Sequence, residues 1–163
     1  MNDNIKKALN YLDKLGINYR YAQHEAVYTI QEANALGMDD GKDVAKNLFL
    51  RDGKKKHYFL VIIDQHKNAD LKAMACLLGV DRLSFASEDD LMKYLGLTRG
   101  AVTPLGIIND EECRVKVIID KTIMGYCTVA VHPNSNTASV WISPDELVRL
   151  VKEHGNETEI MDM

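Results

Sequence analysis

The sequence predicts a single domain of the mixed, largely antiparallel α+β class. Strand-like and helix-like segments are interspersed without the strict alternation of a βαβ fold, and several successive strands are joined too tightly for the crossover that a parallel pair needs. A length of 163 residues suits one hydrophobic core. No repeat, low-complexity tract or linker divides the chain, so residues 1–163 are expected to form one domain.

Each element has its own signature. Ile5, Ala8, Leu9, Leu12 and Leu15 recur at helical spacing, and Gly16 stands where a left-handed C-cap belongs. Residues 18–22 alternate tyrosines with polar side chains, as a half-buried strand does. Thr29-Ile30-Gln31-Glu32 is a capping box that opens a second helix. Residues 44–50 and 57–63 are apolar-rich strands around Arg51-Asp52-Gly53-Lys54-Lys55-Lys56, where Asp-Gly suits the positive backbone angles of a hairpin turn with a basic tip.

The apolar stripe Leu71, Met74, Ala75 and Leu78, closed by Gly79, predicts a further helix; Leu91, Met92 and Leu95 after an N-cap at Ser87 predict another. Residues 99–109 form a glycine- and proline-punctuated loop, and residues 114–120, 128–131 and 138–142 are short β-type runs. Ser143-Pro144-Asp145-Glu146 joins an N-cap serine to a first-turn proline and an N3 glutamate ahead of Leu147, Leu150 and Val151, the best-signalled helix in the chain.

Composition narrows the function classes. With 46% hydrophobic and 27% charged residues, 10 Gly and 3 Pro, the chain is of ordinary globular type. Its apolar runs, such as residues 59–63, fall far short of the roughly 20 residues that span a bilayer. The start, Met1-Asn2-Asp3-Asn4-Ile5-Lys6-Lys7, lacks the apolar centre of a secretory signal, so a cytoplasmic location and no membrane partner are expected. A net charge of -4 argues against a general nucleic-acid coat and leaves room for a local RNA contact, for which the basic tip at residues 54–57 is one place. Cys76, Cys113 and Cys127 are odd in number and widely spaced, which suits reduced structural thiols. His24, His57, His66, His132 and His154 are scattered, so neither a metal site nor a cofactor is expected. No Gly-x-Ser-x-Gly elbow marks a covalent nucleophile.

Three segments carry enough polar chemistry to form a site. Val131-His132-Pro133-Asn134-Ser135-Asn136-Thr137-Ala138-Ser139 is a polar excursion between two strands, although Asn, Ser and Pro are also ordinary turn formers and spacing alone favours the plain turn. Lys46-Asn47 interrupts an apolar run, where strand alternation turns one of the pair inward or toward a cleft; a strand edge with both side chains in water fits the pattern equally. Gly100-Ala101-Val102-Thr103-Pro104-Leu105-Gly106 offers backbone amides that a carbonyl or phosphate can approach, but it is no Walker A or dinucleotide pattern, and an ordinary connection suits it better.

Taken in order and spacing, these three segments resemble the YbaK/ProX-like aminoacyl-tRNA deacylases, relatives of the editing domain of bacterial prolyl-tRNA synthetases. The resemblance runs from about residue 15 to residue 151. The Lys-Asn pair joined to His132-Pro133 and Asn136-Thr137-Ala138-Ser139 is similar to the free-standing enzymes that remove alanine mischarged on proline tRNA. The loop carries Ala101 where serine is common, and Glu25-Ala26 follow His24 where a proline is frequent.

The resemblance implies a sheet curled into a partial barrel with surrounding helices, and ester hydrolysis without metal, cofactor or covalent intermediate, in which water attacks and the ribose 2′-hydroxyl assists. It implies catalytic roles for Lys46, Asn47 and His132, and substrate contacts from Gly100, Ala101, Val102, Thr103, Pro104, Gly106, Asn136, Thr137 and Ser139. The implied partners are the acceptor end of aminoacylated tRNA(Pro) and a prolyl-tRNA synthetase. Two alternatives stay open: a deacylase for mischarged cysteine, serine or threonine, and a non-catalytic aminoacyl-tRNA-binding module accessory to a synthetase.

Overall fold

Buried on both faces along its length, the strand Tyr58–Asp64 is the centre of the molecule, as its continuous apolar run requires. The computed structural model describes residues 2–24 and 45–163. The capping box at Thr29 to Glu32, the helix it opens, Glu25-Ala26 and Val44 lie outside the described residues.

In chain order the described elements are α1 (Asp3–Lys14), β1 (Arg20–Gln23), β2 (Ala45–Asp52), β3 (Tyr58–Asp64), α2 (Leu71–Leu78), β4 (Leu83–Phe85), α3 (Glu88–Leu95), a 3-10 helix (Pro104–Asn109), β5 (Val115–Asp120), a second 3-10 helix (Lys121–Gly125), β6 (Val129–Val131), β7 (Ala138–Ile142), α4 (Pro144–His154) and β8 (Thr158–Met161). The strands form a five-stranded sheet in the order β4-β2-β3-β5-β8 and a three-stranded sheet in the order β1-β7-β6. Pairing is antiparallel except for β3 with β5 and β5 with β8, so the mixed, largely antiparallel α+β expectation holds.

Period-two alternation divides the core. Leu60 and Ile62 of β3 face a large cluster shared with α1, α3, α4 and the three-stranded sheet, whereas Phe59, Val61 and Ile63 face a smaller one closed by Met74 and Ala75 of α2. Each fully buried Leu or Ile contributes about 1.5–3 kcal/mol.

The helix ends follow the sequence signals. Ser143 Oγ accepts from the Glu146 amide at 3.2 Å, Pro144 opens α4, and Ser87 caps α3 with an acceptor 3.1 Å from the Asp90 amide. Asp70 does the same for α2 and Asn2 for α1.

Two expectations are corrected, and two strands have no counterpart among them. The hairpin turn takes its positive φ at Lys55 (56°) rather than at Gly53, because the buried Asp52 carboxylate organises the turn by accepting from the amides of Lys56 (2.8 Å) and His57 (3.2 Å). Gly53 is instead needed for a close approach: a Cβ there would lie 2.6 Å from Asp81 Oδ2. Half of the loop at residues 99–109 is a 3-10 helix, started by Thr103 and by Pro104, whose fixed φ suits a first turn. The short strands β4 and β8 carry too few alternating apolar residues to be read from sequence, and β8 adds a parallel pair at the sheet edge.

Candidate active site

Register brings the polar segment and the glycine loop together. β6 and β7 pair antiparallel with Val131 opposite Val140, so residues 132–137 are a turn at one end of the three-stranded sheet. The Thr103 hydroxyl, fully buried, donates to the His132 carbonyl at 2.6 Å and accepts from the Leu105 amide at 3.3 Å. One side chain thus starts the 3-10 helix and pins the turn to it.

His132 is half-buried, and its Nδ1 lies 2.9 Å from the Ala138 carbonyl. A carbonyl only accepts, so Nδ1 carries the proton and the neutral ring keeps its lone pair on Nε2. Burial pushes the His132 pKa below its ordinary value; the nearby His24 adds to this, and the bond to Ala138 partly opposes it. The group is neutral at pH 7 and can accept a hydrogen bond.

His24 is a member of this group that the sequence reading missed. β1 pairs with β7 so that Gln23 lies opposite Ala138, and the next amide, that of His24, donates to the Thr137 carbonyl at 2.9 Å. Its Nε2 lies 2.9 Å from Ser139 Oγ, and its ring centroid is 6.3 Å from that of His132. The signal was the alternating strand just before it; its pairing with β7 was hidden.

Asn134, five per cent exposed with φ at 60°, has both side-chain amide atoms buried without a hydrogen-bond partner. Thr137 Oγ1 is joined to Ser135 Oγ at 2.8 Å, while Asn136 and Thr137 are half-exposed at the tip and Ser139 is buried beside His24.

Of the glycine loop, Gly100 and Val102 are half-buried, whereas Ala101, Thr103, Pro104 and Gly106 are buried. The amides of Ala101, Leu105 and Gly106 are taken by Thr98 O, Thr103 Oγ1 and Thr103 O. A Cβ on Gly106 would meet Leu97 Cδ1 at 2.7 Å, so that glycine serves packing.

Lys46 and Asn47 point to opposite faces of β2. The Lys46 ammonium donates to the Lys67 carbonyl at 2.8 Å, which leaves two N–H groups for other partners. Asn47 lines a pocket of about 550 Å³ with Val102 and Arg99 of the glycine loop, and its Oδ1 is buried without a partner. No hydrogen bond among the described residues joins Lys46 or Asn47 to the His132 turn; the glycine loop is what lies against both, through Val102 on one side and Thr103 on the other. Among the described residues no group of three or more His, Cys, Asp or Glu side chains is placed to hold a metal, and no helix is long and apolar enough to cross a membrane.

Residues 24–150 match the family of the aminoacyl-tRNA editing domain. The chain is 45% identical over 152 residues, 93% of each chain, to the prolyl-tRNA editing protein ProX of Acetoanaerobium sticklandii. It is 32% identical over 160 residues to the prolyl-tRNA synthetase associated domain-containing protein 1 of Xenopus laevis, covering 96% of this chain and 95% of that one. A crystal structure described as a candidate trans-editing enzyme for prolyl tRNA synthetase superposes with a TM-score of 0.79 at 21% identity, over 99% of this chain and 97% of that one, which establishes the fold.

Proposed function

The chain belongs to the aminoacyl-tRNA editing domain family, and we propose that it is a free-standing trans-editing deacylase that hydrolyses the ester of alanine mischarged on proline tRNA. The observation that carries this reading is the 45% identity, over 93% of both chains, with a protein named for prolyl-tRNA editing. The residue types in the His132 turn, the glycine loop and β2 support it, although Lys46 and Asn47 leave β2 on opposite faces.

In the reaction, the water oxygen bonds the carbonyl carbon, negative charge builds on the carbonyl oxygen, and the bond to the ribose oxygen breaks as that oxygen takes a proton. His132 Nε2 accepts a hydrogen bond from the attacking water or from the 2′-hydroxyl and so fixes its direction; it positions rather than forms a covalent intermediate. Within the glycine loop the amides of Gly100, Val102 and Thr103 are the ones open to the oxyanion, since those of Ala101, Leu105 and Gly106 already have acceptors and Pro104 has none to offer. Lys46 supplies a positive charge toward the terminal phosphate or developing anion, and Asn47 orients the substrate.

Asn136, Thr137 and Ser139 line the aminoacyl pocket. One methylene discriminates by only about 1–3 kcal/mol, so sparing correctly charged proline tRNA requires steric exclusion of the larger ring. The chemistry needs no metal and no cofactor. A cytoplasmic location and association with prolyl-tRNA synthetase complete the reading, the latter supported by the name of the Xenopus laevis relative.

The test incubates the purified chain with labelled Ala-tRNA(Pro), Pro-tRNA(Pro) and tRNA(Pro) charged with cysteine, serine or threonine. Alanine is expected to be released well above the buffer rate and proline spared, with Lys46→Ala losing about 100-fold. Alanine loss no faster than in buffer ends the reading, and faster loss of another amino acid reassigns the substrate.

A further inference from the structure

We infer that the pocket beside Asn47 binds a nucleobase, the one attached to the ribose that carries the ester, and that Phe85 is its stacking platform. This rests on the editing reading proposed above.

The pocket, of about 550 Å³, lies between β2, the end of β4, the first turn of α3 and the glycine loop. It shares Asn47 and Val102 with the candidate site. In an aminoacyl ester of tRNA the reacting carbon is bonded to the ribose of the terminal nucleotide, so the base of that nucleotide must rest in the space next to the reaction. The pocket is that space.

Its walls suit a planar, neutral ligand with a hydrogen-bonding edge. Phe85 is 58% exposed at the pocket wall, and an aromatic face in such a position stacks bases of any sequence. β2 pairs with β4 only at Leu50, Arg51 and Asp52. Just before them the Phe49 carbonyl accepts from the Ala86 amide at 2.9 Å. By the two-residue period, Asn47 turns its own N–H and C=O to the same side, where no strand among the described residues pairs with it. A donor and an acceptor at the rim of an apolar slot match the edge of a base. Charge argues for the base rather than its phosphate: Arg99 is offset by Glu88, and the first turn of α3 holds Glu88, Asp89 and Asp90.

Two short esters test this: 3′-O-alanyladenosine, and the alanyl ester of the same ribose without its base. The native chain is expected to hydrolyse the first with a kcat/KM about ten-fold higher, mostly through KM. Phe85→Ala abolishes that preference and Phe85→Tyr keeps it; Leu77→Ala, which removes a comparably exposed side chain from α2, leaves it intact. Equal losses on both esters, or an unchanged preference in Phe85→Ala, overturn the assignment. If the native chain hydrolyses neither ester nor Ala-tRNA(Pro), the editing reading fails by itself. The pocket is then judged with the non-hydrolysable 3′-amide of alanyladenosine: shifts of the Phe85 ring resonances that the base-less amide does not produce support it, and identical spectra overturn it.

Discussion

Two polar clusters use similar side chains to different ends. Before β5 and β8, Asp110 accepts from the amides of Arg114 (3.1 Å) and Val115 (2.9 Å) and from Asn156 Nδ2 (2.9 Å). Asn156 also donates to the Val115 carbonyl at 2.7 Å, and its Oδ1 lies 2.6 Å from His154 Nδ1. Even Cys113, whose thiol burial pushes up in pKa, gives its hydrogen to the His154 carbonyl at 3.5 Å. At the β6–β7 turn, by contrast, the Asn134 amide is buried and unpaired, and His132 keeps an open lone pair. An unpaired buried polar group costs about 1–3 kcal/mol. The closed cluster is therefore fold, while the open one keeps unused hydrogen-bonding capacity, which the proposed function assigns to the site.

The largest expected effect breaks the closed cluster. Asp110→Ala leaves two backbone amides and the Asn156 side chain without their acceptor, and should lower the unfolding free energy by about 3–5 kcal/mol in chemical denaturation. A loss below about 1 kcal/mol would show that water replaces the carboxylate and that the two clusters do not differ as argued.

His132→Ala reads the other side of the comparison. Deacylation of Ala-tRNA(Pro) should fall about 100-fold while stability changes by no more than about 1.5 kcal/mol, because the ring supplies one bond to the Ala138 carbonyl and is only half-buried. A stability loss equal to that of Asp110→Ala, with activity per folded molecule unchanged, would make His132 structural.

The same contrast explains what was legible in the sequence. Capping serines, C-cap glycines and apolar stripes are local, and α1, α2, α3 and α4 follow from them. Lys46-Asn47 and the His132 turn stood out because polar residues interrupt apolar runs. His24 did not, because its role depends on the pairing of β1 with β7 across more than a hundred residues. Thr103 and Gly106 drew notice for the approachable backbone amides of their loop, yet one ties the turn to the 3-10 helix and the other makes room for Leu97. Packing of that kind leaves no periodic trace.

Asn134 sharpens the comparison at smaller magnitude. Asn134→Ala removes a buried unpaired amide, which favours folding, but places alanine at a φ of 60°, which opposes it by about 1–2 kcal/mol. Stability should stay within about 1 kcal/mol of the native chain while deacylation falls about ten-fold, read by denaturation and by alanine release. Unchanged activity would return Asn134 to the role of a turn former.

The smallest effect is one of pH. His132 is held below the ordinary histidine pKa by burial and by His24, so the acid limb of the kcat/KM profile should have its midpoint below about 6.5. Stability should move in the same direction. Between the lowered folded value and the unfolded value near 6.5, the unfolded chain binds more protons at this group than the folded one, so stability rises with pH through that window. It is fully present above it, and it is lost as pH falls toward the folded value. His132→Ala should flatten this part of the stability profile, whereas Asp110→Ala should lower the whole profile and leave the His132 window in place. A window that survives His132→Ala would assign the titration to another group and remove the neutral ring from the account of the site.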